Sequence, residues 1–161
     1  MNSTVQKALE NIDITYNDLI VIANEIFEET TKDIDEIMAD AYNDIERLSN
    51  DAIRDLMLKL SLKSYTFSEI KEKSAFKATL GEVMRKEAYA VHFNQSEGTV
   101  AVRENNATIE SGAEILAEEI YSLVTNMLKT KLYEIHSVIS ALQTVLTSRL
   151  QEAKLSAIEV G

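Results

Sequence analysis

The stretch Ala90–Ile115, AVHFNQSEGTVAVRENNATIESGAEI, decides how the chain folds. It holds one of the two histidines, two of the four glycines, three asparagines and the charged pair Arg103-Glu104. Asn94, Ser96 and Gly98 are turn formers, and Gly98 suits the positive φ that ends a helix. Thr99 is placed to cap a short helix over about 99–109. Ser111 and Glu114 have the spacing of a capping box that opens a further helix. The stretch therefore reads as two turns flanking a short helix, and not as a dedicated binding loop. That reading leaves His92, Arg103 and Asn105-Asn106 unused. Glu97, Gly98, Thr99 and Arg103 are the positions to watch.

Both flanks are helical in pattern. Downstream, Leu116, Ile120, Leu123, Met127, Leu128, Leu132, Ile135, Ile139, Leu142, Leu146 and Leu150 recur at helical spacing. Upstream, Ile70, Phe76, Leu80, Val83, Met84, Ala88 and Val91 do the same, which predicts that Phe76 packs in the core. Thr66 and Glu69 in YTFSEI form a second capping-box signature, with Tyr65 and Ile70 as its staple, so LSLKSY (60–65) is expected to be a connection. Gly81 costs a helix about 1 kcal/mol against Ala; a glycine there lets another backbone come close. Further upstream, Val5, Leu9, Ile12, Tyr16, Leu19, Ala23 and Ile26 step by fours and threes. The pattern stumbles at Glu28–Asp33, then resumes from Ile34 to Leu56. The expectation is one near-continuous acidic helix, with Thr30 or Thr31 as caps if it breaks.

The predicted fold is all-α: a long-helix antiparallel coiled-coil bundle running up, down and up. It is expected as a single domain with an acidic segment 1–62, a middle helix 66–95, a turn and short helix 96–112, and a long helix 112–158. Long helices with narrow apolar stripes usually complete their burial by homo-oligomerisation.

Composition supports this. The chain of 161 residues has no Pro, Cys or Trp and only 4 Gly. Helix breakers are scarce, and disulfides, thiolate nucleophiles and Cys-ligated zinc are excluded. Neither a signal-peptide pattern nor a run of about 18 apolar residues occurs, so a soluble cytoplasmic protein without a membrane span is expected. The net charge of −11 is uneven: residues 1–56 carry −10, 57–93 carry +3 and 94–161 carry −4. Most of the surface should repel nucleic acid. Asp33, Asp40 and Asp44 fall on the outer face of the N-terminal helix. They are candidates, with Glu97 and Arg103, for contact with a partner. Lys71, Lys73 and Lys77, interleaved with aromatic residues, are candidates for single-stranded nucleic-acid contact.

Catalytic patterns are missing. His92 and His136 are the only imidazoles, and neither adjoins a glycine-rich elbow. Position i−3 to each is a tyrosine, Tyr89 or Tyr133, where a bundle metal site needs Glu. The acidic run DIDEIMADAYND lacks the glycine and spacing of a calcium loop. Phosphate-binding glycine loops do not occur. The expectation is no enzyme, no cofactor and no metal.

KEAYAVHFNQSEGTVAVRENNAT, followed by LYEIHSVISALQTVLTSRLQEAKL, resembles small helical accessory proteins of tailed bacteriophages over roughly residues 64–155. The resemblance implies a helical interaction or scaffold protein that binds a protein partner in phage nucleic-acid metabolism, inside the host cytoplasm. It carries no active-site residue. Two other expectations stand beside it: an acidic inhibitor that imitates nucleic acid, and single-strand binding through residues 59–86.

Overall fold

The computed structural model describes residues 3–43 and 45–159. Its described residues form five helices: α1 (Ser3–Ile12), α2 (Tyr16–Asn43), α3 (Asn50–Gln95), α4 (Val100–Glu110) and α5 (Gly112–Glu159). The fold is an all-α packed helical bundle. The helices build two compact units, Met1–Glu29 with Ile70–Leu128, and Thr30–Glu69 with Lys129–Gly161.

Three boundaries differ from the sequence reading. The N-terminal segment is not one helix. α1 ends at a left-handed residue, Asp13 (φ 58°), and Ile14 N–H bonds Leu9 C=O across the end at 3.0 Å. That six-to-one bond, with Leu9 in the core and Ile14 packed against it, is a Schellman ending with Asp in the place usual for Gly. Thr15 then caps α2. Its hydroxyl accepts from Asp18 N–H at 3.2 Å, while the Asp18 carboxylate takes Thr15 N–H at 2.8 Å and Thr15 O–H at 2.6 Å. Second, α2 passes through the stumble at residues 28–33 without a break, as expected, but it ends at Asn43 and not near Leu56; Ser49 Oγ then accepts Ala52 N–H at 3.1 Å to cap α3.

Third, α3 continues through 60–66, where a connection was expected. Thr66 caps nothing: its hydroxyl donates back to Leu62 C=O at 3.3 Å, as Ser61 does to Met57 C=O at 2.7 Å. The reason is the buried heptad Ile53, Leu56, Leu60, Phe67, which keeps one face in the core on both sides of Thr66. Ser111 behaves the same way. It is fully buried, ends α4, and donates to Ala107 C=O at 2.8 Å instead of opening α5 as a capping box.

In the first unit, Ala8, Leu9, Leu19, Ile115 and Leu116 form a core with Ile12, Ile14 and Ile120 against it. Lys7 Nζ donates to Asn105 Oδ1 at 3.1 Å, and Asn11 Nδ2 donates to Ile109 C=O at 3.0 Å, pinning α1 to α4. In the second unit, Ile34, Met38 and Ala41 of α2, the α3 heptad, and Ile135, Val138 and Leu142 of α5 are buried. Asp33 pairs with Lys63 at 3.0 Å, and Lys131 with Asp35. Arg149 donates to the carbonyls of Ile45, Glu46 and Leu48, closing the turn after α2. Within this unit the pairings set α2 antiparallel to α3 and parallel to α5, whereas residues 50–62 were expected to continue the first helix.

Candidate protein-interaction face

The second half of α3, in the first unit, packs inward with its smallest residues. Ser74 is buried and donates to Tyr121 C=O at 3.4 Å, while Thr125 O–H reaches Ser74 Oγ at 3.2 Å. Gly81 is buried directly over α5: a Cβ there would lie 3.0 Å from both the Cα and the N of Glu118. Arg85 forms an ion pair with Glu118, and Lys77 sits 4.9 Å over the Tyr121 ring. Small residues let the two backbones approach, and long cations close the flanks.

The large apolar residues of the same segment therefore point the other way. Phe76 is 69% exposed, Leu80 46%, Val83 54%, Met84 50% and Val91 45%. At 3.6 residues per turn these five positions fall within about 100° of arc, whose centre lies about 110° around the helix from Gly81. The expectation that Phe76 and its neighbours form the core is thus reversed. Their spacing is helical, as read, but the spacing belongs to the outer face. Leu58, Leu62 and Tyr65, in the second unit, are likewise exposed.

The remaining candidate residues separate. Arg103 is half-buried. Its Nε donates to Phe93 C=O at 2.9 Å and its guanidinium lies 4.1 Å over the Phe93 ring, which stacks on Tyr89. It joins α4 to the end of α3, so the stretch holds a turn and a short helix as expected, with Gly98 at φ 110°; Thr99 stands at the N-cap position, but its side chain makes no capping hydrogen bond. His92 lies in the last turn of α3, and its carbonyl accepts Ser96 N–H at 2.9 Å. Glu97 is exposed in the connection between α3 and α4. Asp33 and Asp40 are exposed on α2, Asp33 held by Lys63; Asp44 lies outside the described residues.

Lys73 and Lys77, four residues apart, lie within about 40° of each other around α3, whereas Lys71 does not share their face. Lys71 is half-buried and pairs with Glu72 at 2.7 Å. Lys73, two residues on, points about 200° away around the helix, next to the exposed apolar arc. Among the described residues no group of three or more His, Asp or Glu side chains is placed to hold a metal ion. No described helix is long and apolar enough to cross a membrane.

Comparisons with protein-family models, with curated proteins and with solved structures find no match to this chain. The outer face of α3 is the feature of the fold that its packing leaves unexplained. A sequence signal for it existed: an α3 segment with Gly81 and Ser74 on one side and Phe76, Leu80 and Val83 on the other. Hydrophobicity alone points to the wrong side; close backbone approach to the glycine points to the right one.

Proposed function

We propose that this protein is a non-enzymatic helical interaction protein that works by docking the outer face of α3 onto a protein partner. The observation that carries this reading is the reversed packing: large apolar side chains outside, and Ser74 and Gly81 inside against α5. Keeping Phe76, Leu80 and Met84 in water has an unfavourable hydration cost that a partner surface removes. Helix-face docking of this type recognises an apolar groove or another helix. The phage accessory role implied by the sequence resemblance belongs to the same proposal.

The test is capture from an extract of the native cells, treated with nuclease, with wild type and with a Phe76→Glu/Val83→Glu variant as bait. A protein retained by wild type and lost from the variant is the expected result. Equal retention by both baits refutes the assignment of the face.

A second reading draws on the exposed carboxylates Asp33, Glu36 and Asp40 of α2. In that reading the chain imitates nucleic acid and blocks a basic protein. Binding of that kind is released by moderate salt and survives the Phe76→Glu/Val83→Glu change.

A further inference from the structure

We infer that the break between α1 and α2 is a hinge that straightens, and that the straightened chain exchanges α1 with a second copy of itself, independently of the α3 face.

The break stands where the sequence pattern has none. Leu9, Ile12, Tyr16, Leu19, Ala23 and Ile26 keep steps of three and four straight through residues 13–15. A stripe of that kind suits one continuous helix. The chain bends there by holding Asp13 at φ 58°, a region that is unfavourable for a residue with a Cβ. Bending also strands Tyr16. At 100° per residue it lies about 20° around α2 from Ala23, which is 1% exposed, yet Tyr16 is 44% exposed at the corner. Other contacts favour the bend. Thr15 and Asp18 cap each other, and Ile14 packs against the core, from which a straight helix would turn it away. Each form thus has its own set of favourable interactions.

The seat of α1 is shaped for α1. Ile12 fills a notch where Gly112 has no Cβ: a methyl there would lie 3.0 Å from Ile12 Cδ1. Lys7 and Asn11 reach Asn105 and the Ile109 carbonyl of α4, and Ala8 and Leu9 complete the core with Ile115 and Leu116. A straight helix carries α1 on the order of 15 Å beyond the break and leaves this seat empty. Ile115 and Leu116 then face water. A second straightened copy supplies an α1 and receives one, which closes the pair about a two-fold axis. Every α1 contact is remade between chains, so the two forms differ only at the hinge and in their dependence on concentration. Short hinges under strain favour such exchange. Tyr16 and Ile20, both exposed and four residues apart beside the hinge, are placed to meet the second copy there.

The protein is unfolded in urea and refolded at low and at high concentration, and its mass is read by light scattering behind a sizing column. A dimer fraction that grows with refolding concentration is expected. Asp13→Gly favours the bend, because glycine accepts the positive φ and weakens a straight helix; it should lower the dimerisation constant about tenfold. Thr15→Ala removes the cap of the bent form and adds a good helix former; it should raise the constant about tenfold. The chain has no cysteine, so a Lys7→Cys/Asn105→Cys variant reports which chain each α1 lies on. A short thiol-reactive cross-linker should join two chains in the dimer fraction and stay within one chain in the monomer.

A wild type that refolds only to monomer overturns the proposal. So does a dimer that the hinge variants leave unchanged, and so does one in which the link stays within each chain.

Discussion

Replacing Gly81 by Ala is the sharpest test of the packing on which the interaction face depends. In an ordinary exposed helix interior the change stabilises by about 1 kcal/mol, because glycine loses more backbone entropy on folding. Here the new methyl would stand 3.0 Å from two backbone atoms of Glu118, well inside van der Waals contact. Those atoms cannot rotate aside as a side chain would. α5 is held there by the Arg85–Glu118 ion pair and the Ser74–Tyr121 hydrogen bond. Overpacking of this kind costs about 1–3 kcal/mol, which cancels the gain or exceeds it by up to about 2 kcal/mol.

The assay is urea unfolding followed by far-ultraviolet circular dichroism, with the slope expected to stay unchanged. Gly81→Leu should cost more. A Gly81→Ala protein that is about 1 kcal/mol more stable than wild type would refute close contact at this point, and with it the argument that the large residues of α3 face outward.

Other outcomes follow from named contacts. Phe67→Ala should cost about 3–5 kcal/mol because its ring is 1% exposed in the second unit's core, whereas Phe76→Ser should change unfolding by less than about 0.5 kcal/mol. Equal costs in the same unfolding titration would place both rings in the core. Arg149→Met should destabilise by about 2 kcal/mol and raise amide exchange in 45–53, since three carbonyls lose their donor. The hydroxyl and N–H of Thr15 hold the Asp18 carboxyl below its ordinary value of 3.8. Its contribution is thus present above that value and lost as pH falls through the lower folded pKa. Asp18→Ala should flatten the acid side of the stability profile, measured as urea midpoint against pH. Burial pulls Lys131 down, but hydrogen bonds to Asp35 and Glu134 outweigh it and raise the ammonium above 10.5. Its contribution holds below that value and fades as pH rises past the folded pKa, so Lys131→Met should soften the alkaline decline.

Helix content was legible in the sequence because it follows from local chemistry. The absence of proline, the scarcity of glycine and the helical recurrence of apolar residues all act within one or two turns. The turn at 94–99 was legible for the same reason: Gly98 adopts a backbone angle that other residues resist, and Thr99 starts the next helix. Helix ends were less so. Thr66 and Ser111 carry capping signatures, yet a continuous buried face or a buried position redirects their hydroxyls to preceding carbonyls. Asp13 and Thr15 end one helix and open another with residues that a search for glycine passes over.

By itself, then, the sequence determined the class of the fold and the short helix with its turn, and it carries neither a phosphate-binding glycine loop nor a Glu-x-x-His pair. Only the tertiary structure decided which face of each helix is inside. A helical stripe of large apolar residues specifies a direction around the helix but not what lies in that direction. On α3 the choice fell to Ser74 and Gly81, because two backbones that touch exclude bulk and turn Phe76, Leu80 and Met84 outward. The charges followed the same rule. Lys71 and Lys77 are near neighbours in sequence, but 100° per residue sets them on different sides of α3, one beside Glu72 and the other over the Tyr121 ring. Arg103 completes a helix end for the same reason: Phe93 and its carbonyl lie within reach only once α4 folds back on α3.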